Sequence, residues 1–219
     1  MKTAVIVFPA SNCDRDAQVA LRQVTGQEPQ MIWHAESELP EDLDLVLLPG
    51  GFAHGDYLRC GAIAARSKIM EAVKKRAEAG GPTLGICNGF QILCETGLLP
   101  GALMSNTNQH FISRDVTLKV EGTDNPFTSK YESGDYTRFA VAHHDGNFQA
   151  DDATLDQLEG EGRVAFRYVE PINGAARNIA GIVSEDRKTL GMMPHPERSM
   201  GEGAYGRVFF ERMIEALAA

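Results

Sequence analysis

The chain has 219 residues, 43% hydrophobic and 23% charged, with a formal net charge of −9. That length suffices for one sizeable core, and the acidic balance, with no basic stripe to offset it, argues against nucleic acid or an anionic membrane as partner. Its four cysteines, Cys13, Cys60, Cys87 and Cys94, form neither a C-x-x-C pair nor a dense framework, which makes a reducing cytoplasm the expected location.

Lys2 precedes the short run Thr3-Ala4-Val5-Ile6-Val7-Phe8, too short for a signal peptide and better suited to a first strand over 3–8. No run approaches the length of a membrane span. Pro9 to Asn12 read as a turn, and Cys13 to Val24 as an amphipathic helix ending near Gly26. Met31-Ile32-Trp33 and Asp44 to Leu48 are the next two strands, the latter stopped by Pro49-Gly50-Gly51. A second helix is expected from Ala62 to Ala79, ending at Gly80-Gly81.

Pro82 then opens a buried strand, Thr83-Leu84-Gly85-Ile86, that stops abruptly at Cys87. Phe90, Leu93 and Cys94 follow at helical spacing, and Gly97 and Pro100 supply a stop. Strand and helix alternate through this half, the pattern of a parallel sheet covered on both faces. In such sheets reactive groups gather beyond the carboxyl ends of the strands. Asn12, Gly50-Gly51 and Cys87 all lie just past strand ends and are expected to be neighbours.

Beyond Pro100 the pattern is strand-rich: 116–120, 139–142, 164–169, 179–183 and 189–193. Residues 121–126 and 147–152 read as turns, and 205–217 as a final helix. With no linker or repeat, 1–219 is expected to form a single domain.

A cysteine on a tight strand-to-helix turn is held out from the backbone beside unpaired helix N–H groups, which favour the thiolate. The pattern matches a nucleophile elbow, with Gly85 and Gly89 keeping side chains out of the turn. A thiol also needs a base. In Pro194-His195-Pro196-Glu197 the prolines pin an extended backbone, so that His195 and Glu197 project to one side. That gives Cys–His–Glu the logic of a triad. Acyl transfer further needs N–H donors for an oxyanion, which Gly51 and Asn88 are placed to supply.

P-G-G, then G-I-C-N-G-F-Q, then P-H-P-E, in this order, resemble the class I glutamine amidotransferases. More narrowly, the chain resembles the amidotransferase subunits of purine biosynthesis. The likeness rests on residues 11–16, 48–59, 85–93, 178–182 and 190–198, and so runs from end to end of the chain. The resemblance implies an α/β three-layer sandwich, flavodoxin-like, with a mostly parallel central sheet. It implies Cys87 as nucleophile, His195 as base and acid, Glu197 as its orienter, and Gly51 and Asn88 as oxyanion donors. Gly50, Gln91 and His143 would contact glutamine, and Asp56, Tyr57 and Arg59 would lie on a partner surface. The partner would be a synthetase subunit using ATP and Mg, with or without a further small subunit. This chain would take L-glutamine and water and bind no cofactor. Two places depart from the family pattern: Ala10 stands where glycine is usual, and Ala142-His143-His144-Asp145-Gly146 where His-Gly-Glu-Gly is usual.

Other motifs read differently. Gly201-Glu202-Gly203-Ala204-Tyr205-Gly206 fits G-x-G-x-x-G but is followed by one helix and no further strand, so it reads as a loop. His143-His144-Asp145 lacks further ligands at metal spacing, and no metal is expected. Cys94 is expected in the core, and Cys13 and Cys60 outside the chemistry. The rival functions are an amidotransferase serving a different acceptor, a cysteine hydrolase of the intracellular-peptidase type and an inactive docking module. Peptidases of that type usually carry the base directly after the cysteine, where this chain has Asn88, and the intact Cys87, His195 and Glu197 speak against the docking module.

Overall fold

The computed structural model describes residues 1–219. Its elements are β1 (Thr3–Val7), α1 (Asp14–Thr25), β2 (Gln30–Trp33), β3 (Leu45–Leu48), α2 (Ile69–Glu78), β4 (Thr83–Ile86) and α3 (Asn88–Glu95). They continue with β5 (Ala102–Met104), β6 (Ile112–Val120), β7 (Tyr136–His143), β8 (Asn147–Gln149), α4 (Asp152–Gly160), β9 (Val164–Tyr168), β10 (Ile179–Val183), β11 (Thr189–Met192) and α5 (Tyr205–Leu217).

Nine strands form one sheet in the order β2-β1-β3-β4-β11-β10-β9-β6-β7. Pairings from β2 through β11 are parallel, and those from β11 through β7 antiparallel. Since β9 and β7 each follow a reversed strand, only β10 and β6 oppose the common direction. The fully buried runs Leu45–Leu48 and Thr83–Ile86 are what a strand covered on both faces requires.

Side-chain alternation shows which helix covers which face. Gly85 and Gly191 are paired, and both back onto α3: added Cβ atoms there would meet Leu93 and Phe90. Met192 points the other way and shares that face, through Gly181, with Phe166. The Phe166 ring meets Phe209 of α5. Helices α3 and α5 thus lie on opposite faces, and α1 packs beside α5. This is the three-layer α/β arrangement expected from the sequence.

Three expectations need correction. The helix over 62–79 is broken: a 3-10 turn at Ala64–Arg66 ends where Ser67 swings to ψ 147, and α2 begins at Ile69. The Ser67 hydroxyl lies 3.2 Å from His34 Nδ1, which ties the break to the neighbouring strand end. The stretch 147–152 is not all turn, because Asn147–Gln149 pairs with Ala102–Met104 in a small second sheet. Helix α4 was not anticipated, although Asp151 caps it by accepting the Thr154 N–H at 2.8 Å. Only Leu155 and Leu158 of α4 are buried, too weak an apolar stripe to stand out.

Candidate active site

β4 delivers Cys87 to α3 through a turn of φ 51, ψ −104, a conformation that L residues rarely hold. The turn is fixed on both sides. Cys87 N–H donates to the Met192 carbonyl at 2.7 Å, and the Cys87 carbonyl accepts Gln91 N–H at 3.1 Å. Gly89 is obligatory, since a Cβ there would stand 2.1 Å from the Leu48 carbonyl oxygen.

Strand β7 crosses above the turn and holds the other half of the site. His195 N–H donates to the Ala140 carbonyl at 2.8 Å, and the Ala142 carbonyl lies 3.9 Å from Cys87 Sγ. His195 Nδ1 and Glu197 Oε1 are 2.6 Å apart, with both side chains 1% exposed. Burial works against the imidazolium, but the Glu197 carboxylate and then Cys87 outweigh it and hold His195 well above the ordinary histidine value. His195 Nε2 has no partner in the protein. Gly50 lies between base and nucleophile: a Cβ on it would stand 2.6 Å from His195 Cε1 and 3.4 Å from Cys87 Cβ.

Gly51 takes φ 119 against the backbone of Asn12, so the three strand ends meet as expected. Its N–H finds no acceptor in the protein. Asn88 is the first residue of α3 and has no intrahelical acceptor for its N–H. These two amides and Cys87 border the turn where a tetrahedral oxyanion would form.

A small pocket opens beside the thiol, lined by Gly51, Phe52, Cys87, Gln91, Ala142 and His143, with Asp56, Cys60, His144 and Asp145 at its edge. Gln91 lines it but has both ends of its amide engaged: Oε1 accepts from Asn88 Nδ2 at 2.7 Å, and Nε2 donates to the Asp145 carbonyl at 2.7 Å. His143 is buried, which pushes its pKa down to about 4, with the nearby His195 charge acting the same way. Asp56 turns inward to accept from Asn88 Nδ2 at 3.1 Å. Tyr57 and Leu58 are 74% and 95% exposed, and Arg59 forks onto Glu95 with two bonds of 2.6 Å.

Several residues that seemed incidental in the sequence lie at the site. Cys60 lines the pocket, its thiol pushed far up by burial and by Asp56 and Asp145. Cys13 is fully buried behind the pair, and Arg198 Nη2 donates to its sulfur at 2.9 Å. Cys13, His195 and Glu197 place ligand-type atoms within 4.8 Å of one another. A cation there would face the Arg198 guanidinium and displace the His195–Glu197 bond. Asn106 organises the loop, accepting from His143 Nδ1 at 3.1 Å and from Gly146 N–H at 3.2 Å. Cys60 and Asn106 lie outside the motif stretches and act from distant parts of the sequence, whereas Cys13 and Arg198 sit within 11–16 and 190–198. His143 and His144 do diverge, the second turning to Asp145 Oδ2 at 3.2 Å. In the G-x-G-x-x-G stretch, Gly206 has a packing role: a Cβ there would lie 1.9 Å from the Pro196 carbonyl.

The family model for the CobB/CobQ-like glutamine amidotransferase domain matches residues 1–206. The chain is 60% identical over 206 residues to phosphoribosylformylglycinamidine synthase subunit PurQ of Zymomonas mobilis, covering 94% of this chain and 93% of that one. It is 56% identical over 218 residues to the subunit of the same name from Novosphingobium aromaticivorans, covering 98% and 97%. A chain in the structure of PurLQS from Thermotoga maritima superposes with TM-score 0.87 at 42% identity, over 99% of this chain and 97% of that one. With a full-length match in sequence and fold and a cysteine at the strand–helix turn, the chain belongs to the CobB/CobQ-like glutamine amidotransferase family.

Proposed function

We propose that this chain is the glutaminase subunit of phosphoribosylformylglycinamidine synthase, hydrolysing glutamine and passing ammonia to a synthetase subunit. The observation that carries the chemistry is the pairing of a strained Cys87 at the elbow with a buried His195–Glu197 pair, both flanking Gly50. The names of its relatives supply the biological setting.

Cys87 attacks the side-chain amide of glutamine, giving up its proton to His195. The oxyanion is held by the N–H groups of Gly51 and Asn88. His195 then protonates the departing ammonia, and a glutamyl thioester remains on Cys87. Water activated by His195 cleaves the thioester to glutamate and restores the thiol. Glu197 keeps Nδ1 protonated and leaves Nε2 to carry the proton. Ammonia is mostly protonated near neutral pH and is then no nucleophile, so direct delivery to the partner avoids that loss. ATP and Mg belong to the synthetase in this scheme, and the loop with Tyr57 and Arg59 is part of the docking face.

The deciding experiment uses Cys87→Ala in the reconstituted complex. Glutamine-dependent synthesis should vanish while synthesis from added ammonium survives. Loss of both, with the complex still assembled, would make Cys87 structural and sink the proposal.

A further inference from the structure

The peptide between Gly50 and Gly51 carries the N–H assigned to the oxyanion, yet it is poorly able to hold itself in place. Its rotation changes ψ of one residue and φ of the next, and glycine at both places offers little steric resistance. Neither glycine is replaceable. A Cβ on Gly50 would stand 2.6 Å from His195 Cε1, and one on Gly51 would stand 2.6 Å from the Asn12 nitrogen. The orientation of this peptide has to be fixed from outside.

Ser11, in the turn between β1 and α1, is placed to do so. Its hydroxyl donates to the Gly50 carbonyl at 2.8 Å. Gly50 is buried, and no backbone N–H reaches that oxygen. Strand order sets the consequence, because β3, which leads into Gly50, lies between β1 and β4. In a trans peptide the carbonyl and the following N–H point in opposite directions. A Gly50 carbonyl held on the β1 side therefore turns the Gly51 N–H to the β4 side, where Cys87 stands. Turned over, the same peptide would aim a carbonyl oxygen at the place where the oxyanion forms. The same turn also holds the segment beyond Gly51, since His54 N–H donates to the Pro9 carbonyl at 2.7 Å.

We infer that Ser11 is a positioning residue for the reaction: its hydroxyl holds the Gly50–Gly51 peptide in the orientation that offers the Gly51 N–H to the oxyanion. Ser11 does not line the pocket and acts only through that peptide. The inference rests on the glutaminase reading, in which the oxyanion arises as Cys87 attacks the γ-amide. A donor aimed at charge that develops only in the transition state raises kcat and leaves the binding of ground-state glutamine alone.

The test follows ammonia released from glutamine by the assembled complex carrying Ser11→Ala. Its kcat should fall by on the order of tenfold or more, towards the roughly 10²–10³-fold that loss of a whole oxyanion donor costs. KM should stay within about twofold of wild type. Alkylation of Cys87 by iodoacetamide, read by mass at that residue, needs no oxyanion and should keep its wild-type rate. Ammonium-driven synthesis reports that the complex has assembled. Should Ser11→Ala fail to assemble, Ser11→Cys takes its place, since a thiol is a weaker donor at the same position. Turnover within about twofold of wild type, or a loss shared by KM or by the alkylation rate, would overturn the assignment. A wild-type complex that releases no ammonia from glutamine would overturn the glutaminase reading, and this inference with it.

Discussion

The side-chain oxygen of Asn88 accepts the Ala53 N–H at 3.1 Å, joining the helix that carries the nucleophile to the loop that leaves from Gly51. The same amide donates to Asp56, so one side chain fixes both walls of the pocket. Within that loop His54, Asp56 and Leu58 all hold positive φ, between 53 and 69. Such residues cost on the order of 1–3 kcal/mol each and persist only where their surroundings hold them.

A partner gripping the exposed Tyr57 and Leu58 could therefore set the Gly51 amide into or out of line. The isolated chain should be a slow glutaminase, faster by about 10²–10³ in the complex, the usual effect of one oxyanion donor. Arg59→Glu should weaken complex formation without unfolding the chain. Turnover of the chain alone, then with saturating synthetase, ATP and acceptor, checks this. Equal rates would refute activation by the partner.

His195→Ala should reduce glutaminase turnover more than Glu197→Ala, because a group that moves the proton twice is harder to replace than the one that orients it. General acid–base assistance is worth about 10²–10⁴-fold. Steady-state rates in the complex decide, and equal or inverted losses would break the role assignment.

The raised pKa of His195 also makes a prediction for stability. The folded chain keeps this proton at pH values where the unfolded chain has released it. The stabilisation is fully present below the ordinary histidine value of 6.5 and is lost as pH rises through the raised folded value. Urea midpoints should therefore fall as pH rises above about 6.5 and through the raised folded value. Glu197→Gln removes the strongest support for the imidazolium and should flatten that fall. A slope unaffected by the substitution would assign it to other groups.

Ala10 holds φ 64, the left-handed region that suits glycine, at the position where the resemblance leads one to expect glycine. Ala10→Gly should raise stability by about 1 kcal/mol. Thermal or urea unfolding measures it, and a loss of stability would show that the Ala10 methyl makes compensating contacts.

Where chemistry sat in a contiguous stretch, the sequence was readable. Cys87 with its flanking glycines and His195 with Glu197 announce themselves because a turn and an extended dipeptide are local geometries. Asp145 and Cys60 do not, since the pocket they share is assembled from α3, the 52–60 loop and the end of β7. The break at Ser67 escaped notice for a similar reason: its side-chain partner is His34, 33 residues away. Helix α4 had its Asp151 cap in plain sight, but too little apolar surface behind it.

Strand β11 enters the middle of the sheet, between β4 and β10, although it is the last strand in the chain. The Met192 carbonyl that fixes Cys87 belongs to it, and His195 follows three residues later. A chain still on the ribosome thus carries the thiol long before it has either the clamp for the elbow or the base. Closure of the sheet and arming of the enzyme are a single late event, dependent on contacts of long sequence separation. Incomplete chains, and fragments cut before residue 189, cannot consume glutamine.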